Sequence, residues 1–262
     1  MNNKIKSLIL KLFGEAIFAK FRVIYWVGKL KRGGFYENEI DLLPHFVHLG
    51  SVCIDIGANF GQYTYPLSKL VGSSGKVFSF EPVRCTFEIL KNIIRKLKLS
   101  NVEVRNIALG DIIGEVRFIT PISASGIKGT AESHIYSQGE GVKGIKEKAK
   151  ITTLDELRLR LPILNRVTFI KCDVEGAELM VFRGGKTFLS KYHPVILCEI
   201  EERHTKRYKY KPEKIFSFLE SLGYKAFIYS FGKLVLIQRV QEFTINHVFI
   251  HESLADKYIY LI

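Results

Sequence analysis

Proline is scarce in this chain, with 7 in 262 residues, and tryptophan occurs once. So few prolines, with glycines that follow no repeat, exclude a collagenous protein or a proline-rich linker. No stretch reaches the ~18 uncharged apolar residues that a membrane-spanning helix needs. The first apolar segment, Ser7 to Ala19, is interrupted by Lys11 and Glu15, which also spoils it as a secretory signal. The expectation is a chain that stays in the cytoplasm. Cysteine is limited to Cys53, Cys85, Cys172 and Cys198, with no pair at CxxC spacing. Three of them lie in the apolar runs SVCID, FIKCD and VILCE, so they read as small hydrophobes on buried strands, in a reducing compartment. What remains is ordinary: 47% hydrophobic and 25% charged residues, enough for one large domain or a domain with a short appendage.

Charge is not evenly distributed. The net charge is +13, and residues 1–34 hold eight basic residues against Glu15 alone. The excess therefore marks a local basic surface. Ile5, Leu8, Ile9, Leu12, Ala16 and Ala19 recur at helical spacing, and a nearly solid apolar run from Phe21 to Val27 follows. Residues 1–45 read as a basic amphipathic helical segment, ended by Gly33 and Gly34. Such a helix either packs on the main domain or lies peripherally on an anionic membrane, at the inner surface of the cell.

From residue 51 the pattern alternates strand and helix. Strands are expected at SVCID, KVFSF (76–80), VEVRNIAL (102–109), EVRFIT (115–120), VTFIKCDV (167–174) and PVILCEI (194–200), then YKAFIYS, KLVLIQRV and HVFIH. Helices are expected from Gly61 to Leu70, about Arg84 to Lys98, Ala177 to Leu189 and Pro212 to Leu222. Residues 121–150, rich in Gly, Ser and Lys, read as a loop. Continuous apolar strands separated by helices imply a mostly parallel sheet covered on both faces, an α/β three-layer sandwich spanning 46–262.

In such sheets ligands bind beyond the carboxyl ends of the strands. The first end reads Asp55-Ile56-Gly57-Ala58-Asn59-Phe60-Gly61. Gly57 permits a sharp turn, Gly61 lets the next helix approach a ligand, and Asp55 suits an ammonium group. Asn59 stands where a dinucleotide fingerprint has its second glycine. The second strand ends at Glu81, 26 residues after Asp55 and near the ~20-residue offset of a ribose-binding carboxylate. A helix-capping role for Glu81 is the competing reading, although Glu is a poor cap. Asn106-Ile107-Ala108 offers backbone groups to a nucleobase.

With these residues in view, DIGANFG, FEP, NIALGD (106–111), TTLDEL (152–157), FIKCDVEGAE (169–178) and HPVILCEIE (193–201) together resemble the FkbM family of S-adenosylmethionine-dependent methyltransferases. The resemblance runs from about residue 50 to 204. It implies a class I, Rossmann-like sheet of seven strands in order 3-2-1-4-5-7-6, the seventh antiparallel. It also implies S-adenosylmethionine as cofactor, with Asp55, Gly57, Asn59 and Gly61 around its methionine part and Glu81 on its ribose. Pro66 inside the first helix and the lysine-rich 121–150 stretch depart from the family pattern.

Four carboxylates gather after the fourth and fifth strands: Asp173, Glu175, Glu178 and Glu199. If the strands are neighbours, these groups meet where a methyl acceptor must be aligned and deprotonated. Catalytic or positioning roles are assigned to Asp173, Glu175 and Glu199, with His204 as a further candidate base. A hard divalent cation is the competitor for these oxygens, although no metal site is assigned. Glu178 facing solvent or pairing with Arg183, and His204 solvated in a loop, are the structural alternatives. The resemblance favours a hydroxyl acceptor on a sugar, glycolipid or small metabolite. Against an RNA methyltransferase, Asp173-Val174-Glu175-Gly176 lacks the proline-proline-aromatic turn of base aminomethylators, and an acidic pocket repels phosphates. A non-catalytic, membrane-associated module is the remaining alternative.

Overall fold

The alternation expected from residue 51 is present in the computed structural model, which describes residues 3–122, 129, 132–136, 141–241 and 244–261, side chains of 3–11 and 13 excepted. Helix α1 (Asn3–Lys31) is broken at Gly14, whose φ of 74° is not helical. After it come the short α2 (Leu43–Phe46), β1 (Val52–Ile56), α3 (Thr64–Val71), β2 (Lys76–Phe80), α4 (Arg84–Leu97) and β3 (Val102–Arg105). The middle of the chain holds β4 (Ala108–Leu109), β5 (Gly114–Pro121), β6 (His134–Ile135), β7 (Gly144–Thr152) and α5 (Leu154–Arg160). Then follow β8 (Val167–Cys172), α6 (Glu178–Gly184), α7 (Lys186–Tyr192), β9 (Val195–Glu199), α8 (Glu202–Thr205) and α9 (Glu213–Glu220). The chain closes with β10 (Tyr224–Ser230), β11 (Lys233–Ile237) and β12 (Asn246–His251).

The main sheet has the order β11-β10-β12-β9-β8-β1-β2-β3. Strands β3, β2, β1, β8 and β9 pair in parallel, and β12 is inserted antiparallel between β9 and β10. This is the 3-2-1-4-5-7-6 order with one correction. An eighth strand, β11, hairpins onto the edge, so among the described residues the sheet has eight strands rather than seven. Side chains such as Ile54, Ile170, Phe182 and Phe188 are fully buried between sheet and helices. Pro66 does not kink α3, because it lies in the first turn, where its missing N–H has no partner to lose.

A second correction concerns the middle of the chain. Residues 102–109 do not form one strand: the chain leaves the main sheet after Arg105, and β4 joins a second sheet of order β4-β7-β5-β6. The expected loop at 121–150 contains most of β7, whose residues 144–151 pair antiparallel with β5. Residues 123–128, 130–131 and 137–140 of that stretch lie outside the described residues. The helix expected from Ala177 to Leu189 is two helices, with Gly184 and Gly185 at the break.

Helix α1 packs along α4, where Val23 and Leu30 are buried against Phe60, Ile89 and Ile93. Leu42, Leu43, Phe46 and Val47 join the core beneath the other sheet face.

Candidate functional site

A cleft of about 610 Å³, mouth included, opens at the carboxyl ends of β1, β2 and β8. Gly57, Asn59, Glu81, Ala108, Asp173 and Glu175 all line it. The second sheet supplies the opposite wall through Phe118, Ser133 and Ile135. That wall has no signature in the strand-end motifs: Phe118 comes from the strand expected at 115–120, and Ser133 and Ile135 from the stretch that reads as a loop.

The turn after β1 is shaped by a close approach. Gly57 has φ 81°, and a Cβ built there would lie 1.7 Å from the Asp173 carbonyl oxygen. Any side chain would drive the β1 and β8 loops apart. The amides of Gly57 and Ala58 both donate to the carbonyl of Phe80, which ties the turn to β2. Asn59 is left-handed at φ 46°, and its buried Oδ1 has no hydrogen-bond partner. Such an unpaired acceptor is costly unless a ligand satisfies it. Asp55 does not line the cleft; its buried carboxylate accepts from the Thr64 hydroxyl. Ala58 and Gly61 also lie outside the lining, and Ala58 packs beside Leu90 and Ile94.

Glu81 is gripped by backbone. The Asn59 amide donates to its Oε2 and the Val83 amide to its Oε1, each at 3.0 Å. It thus ties the β2–α4 connection together, and its two oxygens keep acceptor capacity at the cleft. The capping reading does not hold, because the N-cap residue of α4 is Val83 and no side-chain capping bond is made there.

Beyond β8 the acidic residues do meet. Asp173 and Glu199 stand close together at the ends of β8 and β9, and burial first, then neighbouring carboxylates, push both pKa values up. Glu175 adopts a left-handed φ of 56°, an unfavourable conformation that aims its carboxylate back at this group. His204 is buried, not solvated, because Gly176 turns the β8 loop directly onto it. Its Nδ1 lies 3.2 Å from Glu175 Oε2. Burial holds its pKa down to about 4, so it stands beside Glu175 as a neutral ring. Glu178 neither faces solvent nor pairs with Arg183. It is 1% exposed and accepts from the amides of Val174 and Gly176, clasping the loop that carries Glu175. Glu199 and His204 do not line the cleft. Among the described residues no group of three or more His, Cys, Asp or Glu side chains is arranged to hold a metal ion.

Lys171 is the residue that the strand pattern concealed. It lies inside β8, 2% exposed, in register with Asp55 on β1. Its Nζ donates to Asn246 Oδ1 at 3.2 Å and sits 4.8 Å from the Tyr63 ring centre. Asn246 Nδ2 donates to Glu37 and Glu39, and the Tyr63 hydroxyl donates to Glu37. Burial works against the lysine's charge, but Asp173, Glu199 and Glu37 more than offset it and raise its pKa. A cation in an otherwise apolar central strand was the available signal.

Burial also pushes the carboxyls up: Asp55 to about 6, Glu178 to about 7, Glu81 and Glu199 to about 8, and Glu175 to about 9. The folded protein then keeps protons that the unfolded chain releases near pH 4, so each group stabilises at low pH and loses that contribution as pH rises. His204 and His247, both near 4, act oppositely as pH falls below about 6.5. Five groups outweigh two. The melting temperature of the free protein is expected to fall by several degrees between about pH 5 and pH 9, as scanning calorimetry would record. A rise across that range would contradict the burial of these carboxyls.

A parallel sheet with this crossover order, a glycine turn after its first strand and a carboxylate ending its second defines the class I methyltransferase fold. The profile of the Methyltransferase FkbM domain matches residues 55–226, and the chain belongs to that family. A curated relative, Methyltransferase 1 of Beauveria bassiana (strain ARSEF 2860), is 26% identical over 145 residues. The match takes in 51% of this chain and only 58% of that protein. Among solved structures, methyltransferase FkbM from Methylobacillus flagellatus KT aligns at 15% identity and TM-score 0.46, covering 77% of this chain and 44% of that one. A SAM-dependent O-methyltransferase from Thermotoga maritima aligns at 13% identity and TM-score 0.44, covering 86% and 69%.

Proposed function

We propose that the chain binds S-adenosylmethionine in this cleft and methylates a hydroxyl oxygen of a sugar, glycolipid or small metabolite. One observation carries the reading: Glu81 at the end of β2 and Asp173 and Glu175 after β8 line a single cleft. The residues fit the cofactor. Glu81 keeps free acceptor positions for a ribose diol, and the unpartnered Asn59 Oδ1 calls for a donor such as an ammonium group. The cramped Gly57 turn leaves its side of the cleft clear of side chains. Glu81 would hold the ribose, the 57–59 turn the amino-acid portion, and the backbone near Ala108 the base. When bound, the cofactor supplies an electrophilic methyl group on a sulfonium.

The protein's own task is to orient the acceptor oxygen and take its proton. Asp173 suits that task, being partly buried at the cleft, beside Glu199 and backed by the Lys171 ammonium. The acceptor proton passes to its carboxylate. Among the described residues the cleft lining holds carboxyls and no lysine or arginine, which favours a polyhydroxylated acceptor over a phosphate-rich one and argues against RNA.

Titration calorimetry tests the cofactor half. Glu81→Ala is expected to weaken S-adenosylmethionine binding by about 1.5–3 kcal/mol, the range for charge-assisted hydrogen bonds. Unchanged affinity in a folded variant would sink the ribose assignment. A screen of lipid-linked glycans, free sugars and RNA with labelled cofactor, followed by identification of the methylated atom, tests the other half.

A further inference from the structure

Helix α1 carries apolar side chains on two opposite sides, and only one side is covered. Val23 and Leu30 are buried, and Ala19, Trp26 and Val27 pack with them against the α4 surface. At 3.6 residues per turn, Ile17, Phe21 and Ile24 fall on the reverse side. They are 41%, 44% and 60% exposed. Lys20 and Lys31 border this stripe and Arg32 follows it, all three exposed. Arg22 and Lys29 are engaged elsewhere, lying 4.6 Å over the Phe60 ring and 4.7 Å over the Trp26 ring. Residues 1–34 hold eight cations against one anion.

Two partners are conceivable for such a stripe, a second copy of the chain or a lipid surface. A second copy would set the same lysines and arginine against each other at close range, which repels. An anionic bilayer complements both parts, because its acyl–headgroup boundary takes the apolar residues and its headgroups take the cations. No described helix is long and apolar enough to cross a membrane. We propose that α1 docks on an anionic lipid surface, with Ile17, Phe21 and Ile24 in the headgroup boundary and Lys20, Lys31 and Arg32 on the headgroups.

The consequence reaches the cleft. Trp26 stacks on Phe60 at 5.0 Å, and Phe60 belongs to the same turn as Gly57 and Asn59. The docked helix therefore braces the loop that borders the cleft and holds it beside the lipid surface. The proposal is independent of the methyl acceptor and stands whether or not the hydroxyl reading holds.

The test is co-sedimentation of the full chain with vesicles of phosphatidylglycerol and phosphatidylcholine in equal parts, and with phosphatidylcholine alone. Binding to the anionic vesicles is expected at low salt, falling about ten-fold or more on neutral vesicles or at high salt. The double variant Phe21→Glu, Ile24→Glu should lose about ten-fold or more of this binding while keeping its circular dichroism and melting temperature, since both side chains are exposed. If that variant is poorly folded, Lys20→Glu with Lys31→Glu should show the same loss. Absence of sedimentation with anionic vesicles overturns the proposal, as does wild-type binding by folded variants. A vesicle-free dimer that the variants dissociate would assign the stripe to a second copy and also overturn it.

Discussion

Replacing Lys171 with methionine is expected to cost roughly 3–5 kcal/mol of stability at pH 8, the range for removing one partner from a buried charge group. Methionine nearly matches the lysine stem in length, so little cavity arises and packing contributes a small share. The loss is electrostatic. Asp173 and Glu199 would lose the cation that opposes their burial, and Asn246 Oδ1 would lose its donor. The pH dependence separates this cause from a packing defect. Without Lys171 the carboxyls hold their protons to higher pH, so near pH 5 they are neutral and the variant's deficit shrinks. The gap to the parent should widen steadily toward pH 8 in denaturant titrations. A deficit that is equal at both pH values would place the effect in packing, and no deficit at all would remove Lys171 from the charge network.

The second large effect is on turnover. Asp173→Asn should bind S-adenosylmethionine with little change, because the carbonyl that crowds Gly57 belongs to the backbone and survives the substitution. Turnover on the hydroxyl acceptor identified by the screen should fall by roughly 10²–10⁴, the contribution of a positioned general base. An amide cannot accept the acceptor's proton. Glu175→Gln should fall less if Glu175 aligns the acceptor without removing its proton. Parent-like turnover in both variants would reject an acid–base role for the β8 loop. Undiminished activity after EDTA treatment would separately reject an essential divalent metal.

Much of this arrangement was legible along the chain because its signals are local. Apolar runs such as VTFIKC and VILCE mark buried parallel strands whatever lies beside them. The Gly57 turn and the FEP and DVEG segments mark strand ends, and those ends fall on the cleft because ligand sites in open α/β sheets lie there. The second sheet was hidden for a converse reason. In β7 exposed lysines alternate with Ala149 and Ile151, a pattern that resembles a solvated loop until β5 pairs with it. Gly184 and Gly185 break a helix that periodicity reads as continuous; a Cβ at Gly184 would lie 1.8 Å from the Gly110 carbonyl oxygen, and no local pattern contains that neighbour.

The sequence by itself determined the strand–helix alternation, the parallel core and the identity of the strand-end loops, all of which rest on contacts between residues near each other or on burial alone. Tertiary structure alone decided which charges are compensated. Lys171 remains an ammonium inside a sheet because Asn246, Asp173 and Glu199 surround it, and Glu37 reaches the same site from 209 residues before Asn246. His204 is buried and neutral because Gly176 turns a loop onto it. Coulomb energy and desolvation depend on separation in space, so groups far apart in sequence set each other's charge only once the chain has folded.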